Sequence, residues 1–213
     1  MKYSTSYLIS VQYLGFRFHG WQKQKTAMSL HEMIDKTLGF VFPEIAFKSL
    51  GSSRTDSKVS ANIYFFQLFI NEAIDLAQFV RYFNENAPLD LKVLSIKNTK
   101  APFNIIQSPK LKEYHYYFSS GVKNHPFAAP LLVGFQDNLD IDLMIQGAKL
   151  FEGTHYFHKY CTEPNFETVF KREITSCFIE VNTILSANFF PETSYVLKVR
   201  GNGFLRYQIR LMM

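Results

Sequence analysis

The chain has 213 residues, 47% of them hydrophobic, and a formal net charge of +5 at neutral pH. That length suits one domain or two small ones. No apolar run approaches the roughly 18 residues a membrane helix needs, and the start, polar after Met1 and Lys2, is unlike a secretory signal. Cys161 and Cys177 are the only cysteines, which excludes a disulfide framework and a cysteine-pair metal motif. That usage fits a reducing compartment, and the expected location is the cytoplasm. The basic balance suits a polyanionic partner. Phenylalanine at 22 and tyrosine at 12 are abundant; most must pack the core, and a minority on a basic surface could stack on bases.

Residues 7–14 carry Leu8, Ile9, Val11 and Tyr13 and predict a strand. It runs into Gly-Phe-Arg-Phe-His-Gly-Trp-Gln-Lys-Gln at residues 15–24, where two glycines bracket aromatic and cationic side chains. This composition suits stacking plus phosphate contact, and equally a turn whose aromatics fold into the core. Ser29 and Glu32 form a capping box, and Leu30, Met33, Ile34, Leu38 and Val41 predict an amphipathic helix over 30–41. Apolar runs at 45–50 and 62–70 read as strands flanking Gly-Ser-Ser-Arg-Thr-Asp-Ser-Lys-Val-Ser-Ala at 51–61. There Asp56 lies two residues from both Arg54 and Lys58. Nearby positive charge keeps a carboxylate ionised, and an ionised, positioned aspartate can act as nucleophile or base. The same composition also suits a surface turn, where Ser, Thr and Asp bond their own backbone. A helix over about 75–86, stopped by Pro88, and a strand over 91–96 complete a β-α-β-β-α-β order, the ferredoxin-like arrangement.

Residues 97–110 are polar and contain Pro102 and Pro109, placing a boundary near 105, with an N-terminal half at 1–105 and a C-terminal half at 106–213. A strand over 113–119 sends Tyr114 and Tyr116 to one face and Tyr117 to the other. Residues 121–138 hold two glycines and two prolines and read as irregular. Asp140 or Asp142 caps a helix ending near Phe151, before Gly153. His155, His158 and Cys161 could in principle ligate a metal, but no further ligand completes a motif, so no metal is assigned. Strands over 172–181 and 195–200 precede a final helix. The second half then reads β-α-β-β-α. It lacks a last strand and ends in an uncapped helix, so the natural protein is expected to continue beyond residue 213.

Six segments, in order and over nearly the whole chain, resemble the tRNA pseudouridine synthase A (TruA) family. Residues 51–61 are similar to its signature Gly-x-Gly-Arg-Thr-Asp-Ala-Gly-Val-His-Ala. Gly51, Arg54, Thr55, Asp56, Val59 and Ala61 match, while Ser53, Ser57, Lys58 and Ser60 depart. Tyr13, Gly15, Phe18, Gly20, Trp21, Gln22 and Gln24 match a second pattern, with Leu14 in place of an aspartate. Residues 86–93 look like its Leu-Pro-x-Asp-Ile-x-Val. Phe103, Tyr114 and Tyr116 match a further pattern in which Lys112 replaces an arginine and Ile105 and Ile106 an Ala-Arg pair. Gly153, His155, Phe157 and Tyr160 match another, with Tyr156 replacing an aspartate. Gly203, Phe204, Leu205 and Arg210 match the last.

The resemblance implies an α+β fold, with two ferredoxin-like halves forming one antiparallel sheet, helices on one face, and the second half truncated. It implies a cofactor-free isomerase that converts uridines of tRNA to pseudouridine, in the anticodon stem-loop, with Asp56 in the cleft between the halves as nucleophile or base. Tyr114 would stack on the extruded uracil and Arg210 would hold the carboxylate aimed. Arg54, Lys58, Lys112, Arg17, Trp21 and Gln22 are the expected RNA contacts. A homodimer and tRNA are the expected partners. Because the departures cluster around Asp56, the alternative is a catalytically weak tRNA-binding relative of the same fold.

Overall fold

The computed structural model describes residues 3–100, 103–108 and 110–213. The chain divides into two compact units, Met1–Ser108 and Pro109–Met213.

The first unit contains β1 (Thr5–Tyr13), α1 (Leu30–Val41), β2 (Phe47–Gly51), β3 (Ala61–Ile70), α2 (Leu76–Asn86) and β4 (Leu91–Asn98). The order is the one read from the sequence. The strands pair antiparallel in the order β2-β3-β1-β4. Period 2 sends Tyr7, Ile9, Val11 and Tyr13 of β1, and Tyr64, Phe66, Leu68 and Ile70 of β3, into one core. Leu30, Ile34 and Leu38 of α1 and Phe79 and Phe83 of α2 meet them from a single side. Ser29 caps α1 by accepting from the Glu32 N–H at 3.2 Å, and Asp75 caps α2 by accepting from Gln78 at 2.9 Å.

The opposite face of this sheet holds Gln67, which is fully buried. Its amide donates to Phe103 O at 3.2 Å and to Ser6 Oγ at 3.1 Å, and its oxygen accepts from the Ile105 N–H at 3.1 Å. One side chain thus satisfies the backbone of residues 103–105 and ties that segment to β3.

The second unit contains β5 (Lys112–Ser120), β6 (Val133–Phe135), α3 (Ile141–Lys149), β7 (Gly153–Tyr156), β8 (Lys171–Val181), β9 (Tyr195–Gly201) and α4 (Gln208–Met212). Its sheet runs β6-β5-β9-β8-β7. Two short strands were not read from the sequence: β6 falls in the stretch expected to be irregular, and β7 in residues given no element. Each is too short to show a period of 2. Pairing is antiparallel except between β5 and β6, so the expectation of a purely antiparallel sheet is corrected. Residues 121–132 supply the crossover that a parallel pair requires. Among the described residues each unit carries its own sheet.

The core of the second unit gathers Phe118, Ala148, Phe157, Ile174, Cys177, Ile179, Leu197, Val199 and Leu205. Burial pushes the Cys177 thiol up to about 12, which makes it an inert packing group. Asp140, not Asp142, caps α3, accepting from the Leu143 N–H at 2.9 Å. Tyr117 faces away from Tyr114 and Tyr116 as the strand period requires, bonding His115 Nδ1 at 3.1 Å. No described helix is long and apolar enough to cross a membrane.

The Gln67 contacts generate a stability prediction. Gln67→Leu fills the space but strands a buried N–H and a carbonyl, at a cost of roughly 2–4 kcal/mol. A fall in the urea midpoint with an unchanged slope is the expected result; a midpoint equal to wild type would show that the segment is held by other contacts.

Candidate active site

The candidate residues fall into two groups, one in each unit. The first is built on the loop between β2 and β3. Asp56 and Thr55 are half-buried there, and Arg54 and Lys58 are exposed. The loop leans on residues 15–21. Trp21 N–H donates to Thr55 O at 3.3 Å, Lys58 N–H donates to Phe18 O at 2.9 Å, and Gly15 N–H donates to Ser60 Oγ at 2.8 Å. Ser60, one of the departures, therefore has a structural task. Within the loop, Val59 N–H donates to Asp56 O at 3.3 Å. Gly20 has φ +84°, and a Cβ there would overlap Thr55 O. Only glycine meets both conditions, left-handed backbone and a bare approach.

Lys58 has φ 64°. The left-handed region costs a non-glycine residue about 1–2 kcal/mol, which gives a physical reason for the glycine that the resembling signature carries here. The side chain extends to Phe16, with Nζ 5.3 Å from the ring centroid. Phe16 is itself exposed.

The expected RNA contacts of this group divide by exposure. Gln22 is exposed. Arg17 is paired with Asp90, with its Nη2 2.8 Å from Oδ1 and its Nε on the other carboxylate oxygen. Its guanidinium lies 4.5 Å from the Phe18 ring centroid. Arg17 thus fastens the 15–21 loop to the start of β4, and its charge is largely answered within the unit. Trp21 is buried, 5% exposed, and packs between His31, with centroids 5.0 Å apart and planes 15° apart, and Tyr64 at 4.5 Å. Of the two readings open for residues 15–24, Trp21 takes the core one: its apolar ring packs in the first unit's core.

The second group lies on β5 and around α4. Tyr114 is half-buried on β5, edge-on to Phe204 at 5.1 Å and 83°. Arg210 is on α4, its guanidinium 5.1 Å from the Tyr207 ring centroid, and α4 packs against β5. Burial raises the Tyr116 hydroxyl above its ordinary range, and the nearby Arg210 charge opposes that shift. Tyr114, Tyr116 and Arg210 are thereby gathered on one side of this unit. Tyr207, which precedes α4, holds φ 60°. Lys112 is half-buried opposite Gly201, and its amine is held below its usual range by burial and by Lys110 and Arg172. A half-buried amine beside two cations is suited to an anion.

Thr55 Oγ1 is buried without a hydrogen-bond partner among the described residues. An orphan hydroxyl beside Asp56 is the kind of group a bound ligand satisfies. Among the described residues no three His, Cys, Asp or Glu side chains are arranged to hold a metal. His155 Nε2 instead bonds Glu152 O at 2.8 Å. Two residues that build the site were not singled out from the sequence. Tyr64 donates its hydroxyl proton to Ser53 O and accepts from Ser53 N–H at 3.3 Å, and His31 backs Trp21. Tyr64 left a trace, since a tyrosine on the buried face of a strand must find a partner for its hydroxyl.

A family model described as tRNA pseudouridine synthase matches residues 148–213. The chain is 31% identical over 215 residues to tRNA pseudouridine synthase A of Mesoplasma florum, covering 97% of this chain and 80% of that one. It is 31% identical over 211 residues to the enzyme of the same name from Streptococcus pneumoniae, covering 98% and 81%. The chain belongs to the tRNA pseudouridine synthase A family. A further relative, tRNA pseudouridine synthase A 1 of Protochlamydia amoebophila, is 28% identical over 205 residues, covering 96% and 77%. The family is one of isomerases.

The left-handed Lys58 yields a second prediction. Lys58→Gly removes backbone strain at the cost of a freer unfolded chain, for a net stabilisation of roughly 0.5–1 kcal/mol. Lys58→Val, β-branched, should destabilise. Melting temperatures of the two variants check this, and a lower value for the glycine variant would contradict it.

Proposed function

We propose that this chain isomerises uridines of tRNA to pseudouridine through Asp56. The observation that carries the reading is the Asp56 loop itself, held by hydrogen bonds that it donates to Phe18 O and accepts from Trp21 N–H of the neighbouring loop, in a chain of this family. The reaction breaks the C1′–N1 bond, turns the uracil and joins C1′ to C5; the C5 proton leaves and N1 gains one. No redox or phosphoryl step occurs, so the chemistry asks for no cofactor.

The target base must first leave its stack, because its glycosidic bond is out of reach inside a stem. Arg54, exposed on the loop, holds the RNA with the base turned out. Asp56 acts as nucleophile or base. Tyr114 stacks on the extruded uracil and assists proton removal. Arg210 takes the role of the cation that favours the ionised carboxylate. Lys112 and Lys58 contact phosphates, and Lys58 carries its amine outward along Phe16. The orphan Thr55 hydroxyl is available to the bound nucleotide. In this reading each unit is ferredoxin-like, the targets lie in the anticodon stem-loop, the enzyme works as a homodimer on tRNA, and its place is the cytoplasm.

Asp56→Asn should abolish pseudouridine formation on unmodified tRNA transcripts and leave tRNA affinity within about threefold, since it removes one charge and few phosphate contacts. Pseudouridine mapped by nucleotide position reads the first outcome and filter binding the second. Full activity in the Asn variant would remove Asp56 from the mechanism, and wild-type protein that binds tRNA without forming pseudouridine would favour the catalytically weak relative. Lys58→Gly should weaken tRNA binding and lower the slope of log affinity against log salt by about one, with turnover at saturating tRNA little changed. A large loss of turnover at an unchanged slope would show Lys58 acting on Asp56 instead.

A further inference from the structure

Trp21 is the only tryptophan of the chain, and its surroundings converge on one short segment. Its backbone N–H reaches Thr55 O, the residue before Asp56. Its ring lies against Tyr64, whose hydroxyl holds both the N–H and the carbonyl of Ser53. A Cβ on Gly51 would overlap both the Trp21 ring and the Tyr64 hydroxyl. The loop therefore enters and reaches Asp56 over surfaces set by these two rings.

The far face of Trp21 is fixed as firmly. His31 stacks on it, and Ser49 holds the imidazole at 2.8 Å through Nε2. The Ser49 hydroxyl donates to Asp35, so its lone pair accepts the Nε2 proton of His31. The other Asp35 oxygen pairs with Lys23 and lies 3.8 Å from His31 Nε2. Burial holds the imidazole below its ordinary range against the pull of Asp35, so the ring is neutral at physiological pH. The imidazole plane cannot swing without breaking that chain. The indole sits between an anchored ring and one that grips the loop.

We propose that Trp21, backed by His31 and coupled to Tyr64, is a positioning residue that sets Asp56, and not a contact to RNA. The proposal rests on the reading of Asp56 as the reacting carboxylate. Positioning acts on the chemical step, since a displacement near 1 Å can cost a factor of about a hundred in rate. Stacking on a base would act on affinity. The two roles therefore separate in kinetics.

The experiment measures single-turnover pseudouridine formation at saturating tRNA, and tRNA dissociation constants, for wild type, Asp56→Asn, Tyr64→Phe, Trp21→Ala and Trp21→Phe. Tyr64→Phe removes one oxygen and leaves the packing, so it tests the idea even where Trp21→Ala fails to fold. Tyr64→Phe and Trp21→Ala should lose about ten- to a hundredfold in rate, with dissociation constants within about twofold. Trp21→Phe, which restores a ring, should recover most of that loss. The emission maximum of Trp21 should be that of a buried indole and should not move when tRNA saturates the protein.

An unchanged rate in Tyr64→Phe, or a Trp21→Ala variant weakened only in tRNA binding, would overturn the proposal. Indole fluorescence quenched by tRNA would do the same and assign Trp21 to RNA. An inactive wild type, or an active Asp56→Asn, would instead bring down the reading of Asp56, and this proposal with it.

Discussion

The structure around Asp56 depends on one interlock, the packing of residues 15–21 against the loop between β2 and β3. A loop carrying Arg54, Asp56 and Lys58 has too much polarity to fold by burial. It takes its shape from fixed neighbours. Backbone bonds from Trp21 and Lys58 and the Ser60 hydroxyl tie it at three places, and Tyr64 grips its entry. Each neighbour belongs to, or is anchored by, the core of the first unit. Ordering of the carboxylate is thus linked to packing of Trp21, Tyr64 and His31, and the entropy of the loop is offset by contacts that the sheet and α1 already hold in place.

The same interlock accounts for the glycines and for the departures from the family signature. Gly20 and Gly51 stand where another backbone or an aromatic ring approaches too closely for a side chain. Lys58 accepts a left-handed backbone that glycine would take freely, and its amine reaches outward to Phe16. Ser60 uses its short hydroxyl to bond Gly15. The departures thus leave the course of the loop intact. What varies is what the loop shows to the outside.

In the second unit a different balance operates. Tyr114 and Tyr116 stand on a half-buried strand face beside Phe204 and Arg210. Desolvation disfavours the ionised forms of both Tyr116 and Lys112. The opposite face carries a polar row, where Arg200 pairs with Glu113, Glu113 with His115, and His115 with Tyr117. Exposed pairs of this kind add little stability, so apolar packing on the Tyr116 side holds the unit together.

The sequence by itself determined the first unit almost completely. Period-2 and period-3.6 patterns over long segments, a capping serine and a stop at Pro88 are local signals, and burial of one face follows from them directly. It also singled out Asp56, Tyr114 and Arg210 as candidates, through residue types at fixed spacing that resemble a family. Only the tertiary structure decided the fate of the aromatic and cationic cluster at 15–24. Composition could not tell whether Trp21 faces water or the core, because either placement satisfies the local chain. The outcome turns on His31 and Tyr64, ten and 43 positions away in the chain. It equally decided that Arg17 spends its charge on Asp90, that Gln67 pins residues 103–105, and that β6 adds a parallel strand. Each of these is a contact between residues distant in sequence, and such contacts exist only once the strands have paired.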